Sequence, residues 1–509
     1  MNKPLIFIVI FVFIVLFWVS PDSYTHDLLD RTDSAIFFTS GKAWMNGMIP
    51  YTEFADSKGP LLWLIYGIGY LLSPYNYIGI FWMSFLLYSI VYYLVYQISF
   101  IFLDNKRLSI ISTLLMTLSF FNPWYHYEIR AEDWCQLFVV WSLYESCRMI
   151  YKNTLHKTIV LRTFYVLGIS IAGTLMIKYS ISIMLGGLAA YCFYFIMNKR
   201  EYRTCSLSMF IAGISTILIP FLAYFLLQGN LNDFINEYFF NTFRTIQGSN
   251  TFILYLHEWL LTISSPARMV LFSSAVIGSL IMSRKVSHDK YFFLFSFLCF
   301  YCIAIHHALS DYYLCICLIF PLWLVLAIIK EKKDTRYSCL QMIKTSCFIM
   351  GITVVSNYFF TDGYIISNLF FTGNTYRKDL YSVGYIMSQI KKPTIIFYET
   401  PDHGYGILSD ALPGSKYWTT QIGATEEMKN HQLLDIKSGK SDFIMTDDVY
   451  SPIEDKEHII TESGYHLCYT YKTWSHTFRL YSKHNLAPVP KSFNVNNFDI
   501  LIKRNIYGN

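Results

Sequence analysis

Two stretches of this sequence set carboxylates beside cations, the combination that moves protons and holds anions. The first, "DRTDSAIFFTSGKAWMNGMIPYTEFADSKGPLLWLIYG", runs from Asp30 to Gly67 and carries four carboxylates, an Arg and two Lys between strongly apolar runs. Asp30 and Asp33 lie three apart with Arg31 between them, so on a helix the two carboxylates share a face. The second, "YHYEIRAEDWC", places Glu128, Glu132 and Asp133 around Arg130. A carboxylate in either place could act as a general acid or base, and a Lys or Arg beside it could bind a phosphate. Cys299-x-x-Cys302 followed by His306 and His307 also has metal-ligand chemistry on paper. The Cys pair lies inside an apolar span with no second thiol pair near the histidines, so helix packing is the favoured reading.

The elements that must position these groups are membrane helices. With 41 Tyr, 42 Phe, 54% hydrophobic residues and a mean hydropathy of +0.36, the chain is too apolar for a water-soluble core to hide. Apolar runs long enough to cross a bilayer begin near Leu5, Ile78, Leu108, Trp134, Ile159, Ile181, Ser206, Met269, Tyr291, Leu314 and Leu340, roughly eleven spans. Basic connections at Asn2-Lys3, Asn105 to Arg107, Lys152 to Lys157, Asn198 to Arg203, Ser283 to Lys290 and Lys330 to Arg336 fall at every second turn, which makes those turns cytoplasmic. The N-terminus is then cytoplasmic, and the alternate loops, 21–76 and 228–258 among them, face outward with the C-terminal tail. This parity needs Leu61 to Leu72 to be interfacial or re-entrant, because twelve residues are too few to span comfortably. It also needs the first helix to stay as an anchor, and Phe17-Trp18-Val19-Ser20 lacks a small-x-small cleavage pattern.

The chain divides on composition into a membrane part, 1–356, and a tail, 357–509. In the tail "PTIIFYE" and "DFIMTDD" read as strands, "GATEEMKNHQLLDIKSG" as a helix, and "YHLCYTYKTWSHTFRLYS" as two strands with a turn. The expected fold is therefore a polytopic α-helical membrane protein with a C-terminal extracytoplasmic α/β domain. Of eleven cysteines only Cys468 lies in the tail, so that domain has no internal disulfide. No phosphate loop or nucleotide fingerprint occurs, and no basic aromatic patch suggests nucleic acid.

The first loop is not uniformly polar. Phe37, Phe38, Trp44, Tyr51 and Phe54 interleave with its charges, and Gly41, Gly47, Pro50, Gly59 and Pro60 imply defined turns, so it should fold against the membrane surface. Asp33, Gly41, Pro50-Tyr51 and Asp56-Ser57-Lys58-Gly59-Pro60 together resemble the first-loop signature of GT-C fold membrane glycosyltransferases, the class of protein O-mannosyltransferases, aminoarabinose transferases and many bacterial cell-envelope enzymes. "EIRAEDW", Lys178 at an outward helix end, "FINEYFFNTF" and "HHALSDYYLCICLIFPLW" are further, less specific matches, and the tail resembles the α/β domains that close many of these enzymes.

The resemblance implies an enzyme of the bacterial inner (plasma) membrane that takes a sugar from a polyprenyl-phosphate donor and passes it to a glycan, lipid or protein acceptor at the outer face. Asp33 matches the family's catalytic acid position and Lys58 its lysine, which would face the leaving phosphate. Arg130 and Lys178 are further phosphate candidates, with interfacial anchoring as the alternative. His306 and His307 could orient the donor or could be an interfacial pair bonded to backbone. Many members carry adjacent acids where this chain has Asp30 and Asp33, which leaves either one as the base. Asp56 and the Glu132-Asp133 pair correspond to acceptor-side or second acidic positions, and acidic oxygens would suit Mg²⁺ or Mn²⁺. A polysaccharide polymerase or a lipid-linked sugar flippase is the other reading, but a flippase needs a charged path through the membrane, and the spans are nearly free of charge.

Overall fold

The computed structural model describes residues 3–24, 32–122, 128–152, 156–197, 199–241, 251–286, 289–306, 311–331, 339–360, 375–419, 425–448, 453–472, 477–490 and 493. The chain folds into two compact units that interleave along the sequence. One comprises Met1–Thr25, Ser84–Ala223 and Ser249–Ser367, the other His26–Met83, Tyr224–Gly248 and Asn368–Asn509.

The first unit is helical. Across the described residues six helices are long and apolar enough to cross a membrane: Ile78–Leu103, Lys157–Leu175, Tyr179–Ile196, Glu201–Leu227, Pro266–Lys285 and Tyr313–Glu331. The other apolar runs are helical too, but each departs from a plain span for a visible reason. Pro4–Val19 and Phe292–Ile305 are short, and within the helix Cys339–Phe360 the described apolar stretch is Gln341–Ser356. The run from Leu108 breaks at Met116, between Lys106–Leu115 and Thr117–Phe120. Ala131–Tyr151 is long, but Glu132, Asp133, Glu145 and Arg148 interrupt its apolar surface. Close helix approach here uses small residues: a Cβ on Gly168 would collide with the backbone of Phe210, Gly213 and Ile214.

The second unit joins the first loop to the tail. Leu61 to Leu72 lies in a helix, Pro60–Leu72, with Pro60 in its first turn, where a missing N–H costs nothing. It crosses the helix Thr32–Met45 at Gly41, where a Cβ would meet the backbone of Trp63, Tyr66 and Gly67. Between these helices the chain turns through Gly47 (φ +92°) and Tyr51 (φ 66°). Tyr51 is fully buried, its ring 4.7 Å from that of Trp63 and 5.3 Å from Phe234.

The tail forms a sheet of β1 (Thr394–Tyr398), β2 (Leu412–Pro413), β3 (Phe443–Asp447), β4 (His466–Lys472) and β5 (Thr477–Ser482), in the order β2-β1-β3-β5-β4. β1 runs parallel to β2 and β3, while β5 is antiparallel to β3 and β4. The parallel pair β1–β3 needs a crossover, which includes the helix Glu426–Lys437, and the antiparallel pair β4–β5 needs only a hairpin. Period-2 alternation puts Ile396, Tyr398, Ile444 and Tyr481 on one face, where Ile436, Ile460 and Tyr465 cover them.

Candidate active site

In the second unit Asp33 stands in the first turn of Thr32–Met45, where a carboxylate meets the positive end of the helix dipole. Phe37 follows one turn later and so shares its face. The Lys58 ammonium sits 5.7 Å from the centre of the Phe37 ring, which brings this lysine to the same helix face as Asp33. The loop that delivers Lys58 is fixed at three points. Tyr51 donates its hydroxyl to the Lys58 carbonyl at 2.8 Å, the Lys58 ammonium donates to Ser57 Oγ at 3.2 Å, and Asp56 accepts from both the amide and the hydroxyl of Ser57. Asp56 is thus buried as a turn former beneath Lys58. This accounts for Pro50-Tyr51 and Asp56-x-Lys58 occurring together: the tyrosine and the aspartate hold the loop that presents the lysine.

A second buried charge in this unit had no reading from sequence. Lys42, nine residues past Asp33 on the same helix, is completely buried and donates to the Gly406 carbonyl at 2.5 Å. Beside it Thr39 donates to Asp402 at 2.9 Å, and Asp402 also accepts from the Gly404 amide at 2.9 Å. Burial pushes Lys42 down from its ordinary value to about 8, against the opposing pull of Asp410 and Asp402. Burial raises Asp402 in turn. These bonds tie the helix that carries Asp33 to the Asp402–Asp410 segment of the tail, and the only sequence signal was a lysine on an otherwise apolar face.

Because the folded chain holds the Lys42 proton less tightly than the unfolded chain does, stability is lowest below pH 8 and rises between about pH 8 and 10.5. The change amounts to roughly 3 kcal/mol. Denaturant unfolding of the purified protein at pH 7 and pH 10 should show this rise, and Lys42→Met should remove it. An identical pH slope in both proteins would mean that Lys42 is solvated.

In the first unit five of the residues singled out from sequence come together, Glu128, Arg130, Glu132, Asp133 and Lys178. Arg130 precedes the helix Ala131–Tyr151, and its amide donates to Asp133 at 2.9 Å, an N-terminal cap that also explains the position of the aspartate. Arg130 donates through Nε to Glu128 at 2.6 Å. Asp133 accepts from the Tyr88 hydroxyl at 2.8 Å. Lys178, just before Tyr179–Ile196, pairs with Glu132 and lies 3.7 Å from the centre of the Tyr313 ring. The cluster is buried and each carboxylate has a partner. No group of three His, Cys, Asp or Glu able to hold a metal occurs across the described residues.

Asp30 and His307 lie outside the described residues, and of His306 only the backbone, closing the helix Phe292–His306, is described. The "FINEYFFNTF" stretch contains a seven-residue π-helix, Ile235–Asn241, within which Glu237 pairs with Lys416 at 2.7 Å and accepts from the Tyr417 hydroxyl at 2.9 Å. π-Helical turns are rare and frequently mark functional sites.

No protein-family model and no curated protein matches the sequence. The solved structures that resemble the chain over nearly its full length include two of one protein. ArnT from Cupriavidus metallidurans in the apo state has 10% identity and a TM-score of 0.63, covering 93% of this chain and 97% of its own. The same protein bound to undecaprenyl phosphate has 9% identity and a TM-score of 0.62, covering 93% and 98%. Likeness at this identity is a likeness of fold, and the chain has the fold of ArnT, the GT-C fold that its first loop resembles.

Proposed function

We propose that the chain is a multi-pass inner-membrane glycosyltransferase that moves a sugar from a polyprenyl-phosphate donor to a glycan, lipid or protein acceptor at the outer face. One observation carries this reading: in a chain with the fold of ArnT, a loop fixed by Tyr51 brings a lysine to the face of the first-loop helix that carries a carboxylate. In the reaction Asp33 accepts the proton of the acceptor hydroxyl. The freed oxygen bonds to the anomeric carbon as the bond from that carbon to the phosphate oxygen breaks, and the departing phosphate takes the electron pair beside Lys58. In the other unit Arg130 and Lys178 form a second cationic pair held by Glu128 and Glu132. The alternating basic loops support about eleven spans, a cytoplasmic N-terminus and an extracytoplasmic α/β domain.

The test is transfer of radiolabelled sugar from polyprenyl-phosphate donors by membranes expressing matched levels of each variant. Lys58→Ala should weaken donor use by about 1.5 to 3 kcal/mol, the value of one charge-assisted phosphate contact. Lys58→Arg should recover only part of this, because a planar fork places its donors differently. Wild-type rates in both variants would make Lys58 an anchor. If wild-type membranes transfer nothing from any donor while lipid-linked glycans accumulate on the cytoplasmic side of a deletion strain, the protein is a flippase.

A further inference from the structure

The order β2-β1-β3-β5-β4 places β2 and β3 on opposite sides of β1, so the chain leaves the carboxyl end of β1 toward β2 and the carboxyl end of β3 in the opposite direction, toward β4 and β5. The crevice outside the carboxyl ends of two such strands is where open α/β sheets bind ligands. Here the last row of the sheet turns from apolar to polar. Tyr398, Thr446 and Arg479 are register partners across β1, β3 and β5, so they share the face that Ile396, Ile444 and Tyr481 cover further down.

The polar groups at this end are built in and left unsatisfied. Thr446 is 1% exposed, and its hydroxyl has no hydrogen-bond partner among the described residues. The same holds for Nη1 of Arg479 and for the hydroxyl of the fully buried Thr400, two residues beyond β1. Buried donors are normally paired, because leaving one unpaired costs stability. Lys456 is 3% exposed and lies over Tyr398, 5.9 Å from its ring centre, with its ammonium 3.1 Å from both Glu399 and the Asp447 carbonyl. Glu399 itself adopts a φ of 55°, a left-handed conformation uncommon outside glycine.

We propose that the carboxyl ends of β1 and β3 form a second site, which binds a neutral, hydroxyl-rich sugar unit. The charge balance selects this chemistry. Two cations, Lys456 and Arg479, stand against three carboxylates: Glu399, paired with Lys456, the buried Asp447 that ends β3, and Asp448, within the field of Arg479. An anion would be repelled by the carboxylates, and an apolar ligand would leave Thr446 and Arg479 unpaired. Sugar hydroxyls donate to carboxylates and accept from guanidinium and threonine at the same time. Recognition rests on the sheet alone, and the transferase reading enters only to supply the source, a glycan acceptor.

The full chain carrying Asp33→Asn, so that turnover does not consume the ligand, would be titrated with neutral hexose oligosaccharides, glucuronate and inorganic phosphate. Calorimetry and the unfolding midpoint are the readouts. A neutral oligosaccharide should bind saturably. Thr446→Val, which keeps the shape and removes the hydroxyl, should weaken that binding about tenfold while raising the unfolding midpoint of the free protein. A raised midpoint with unchanged sugar affinity would reduce Thr446 to a buried hydroxyl and overturn the site. Binding of phosphate or glucuronate alone, or of no probe, would also overturn it. Wild-type sugar transfer measured in parallel separates this failure from failure of the transferase reading.

Discussion

Asp33→Asn should lower sugar transfer by about 10² to 10⁴ while the protein remains folded and still binds its donor. The amide keeps the size and most of the hydrogen bonding of the carboxylate but cannot accept the proton of the acceptor hydroxyl. A loss in turnover rather than in donor affinity therefore marks the base. Lys58→Ala makes the contrasting case, since it acts on the phosphate and should raise the donor concentration needed. Asp30→Asn is the internal control, because it removes the same charge from the same loop. A large loss at Asp33 with a small one at Asp30 assigns the base. The reverse pattern moves the base to Asp30 and leaves the transferase reading intact. Equal, small losses at both would mean that no first-loop aspartate accepts the proton.

The legible parts of this protein were those that repeat at short range. Long apolar runs identified the helices, apolar runs of strand length identified β1 and β3, and an aromatic-rich stretch with a turn identified β4 and β5. β2 was not read, because two residues, Leu412 and Pro413, carry no period. The π-helix at Ile235–Asn241 was not read either, since its aromatic-rich sequence resembles any apolar helix. The first loop declared itself through interleaved aromatics and Gly/Pro turns, and the fold puts these residues to use, with Tyr51 holding the Lys58 carbonyl and Asp56 holding Ser57. Partnerships across long sequence separation were invisible. Nothing local couples Lys178 to Glu132, 46 residues away, or Lys42 to Gly406, 364 residues away. Lys178 read alone was a phosphate candidate, and only the pairing shows that Glu132 already answers its charge.

Gly41→Ala should cost more activity than a methyl group on a helix ordinarily would. Alanine is the better helix former, so at an exposed site the change would stabilise the chain. Here the new Cβ would lie 2.7 Å from the Trp63 carbonyl oxygen and 2.8 Å from the Tyr66 carbonyl carbon, and closer still to the Gly67 amide, all backbone that cannot swing aside. The helices Thr32–Met45 and Pro60–Leu72 must separate to admit it, at an overpacking cost of about 1 to 3 kcal/mol. Phe37, beneath the Lys58 ammonium, and Asp33 ride on the first of these helices, so the separation shifts base and cation relative to one another. A displacement near 1 Å in a reacting constellation costs on the order of 10²-fold in rate, the loss expected in the transfer assay. Gly67→Ala is the matched comparison. Its Cβ meets first the flexible end of Met45, which can move, and then the Gly41 carbonyl oxygen at 3.0 Å, so both its stability and activity losses should be smaller. Membranes of Gly41→Ala that transfer sugar at the wild-type rate, with an unchanged unfolding midpoint, would mean that the two helices do not pack this closely and that the first loop is not the rigid platform the proposed reaction requires.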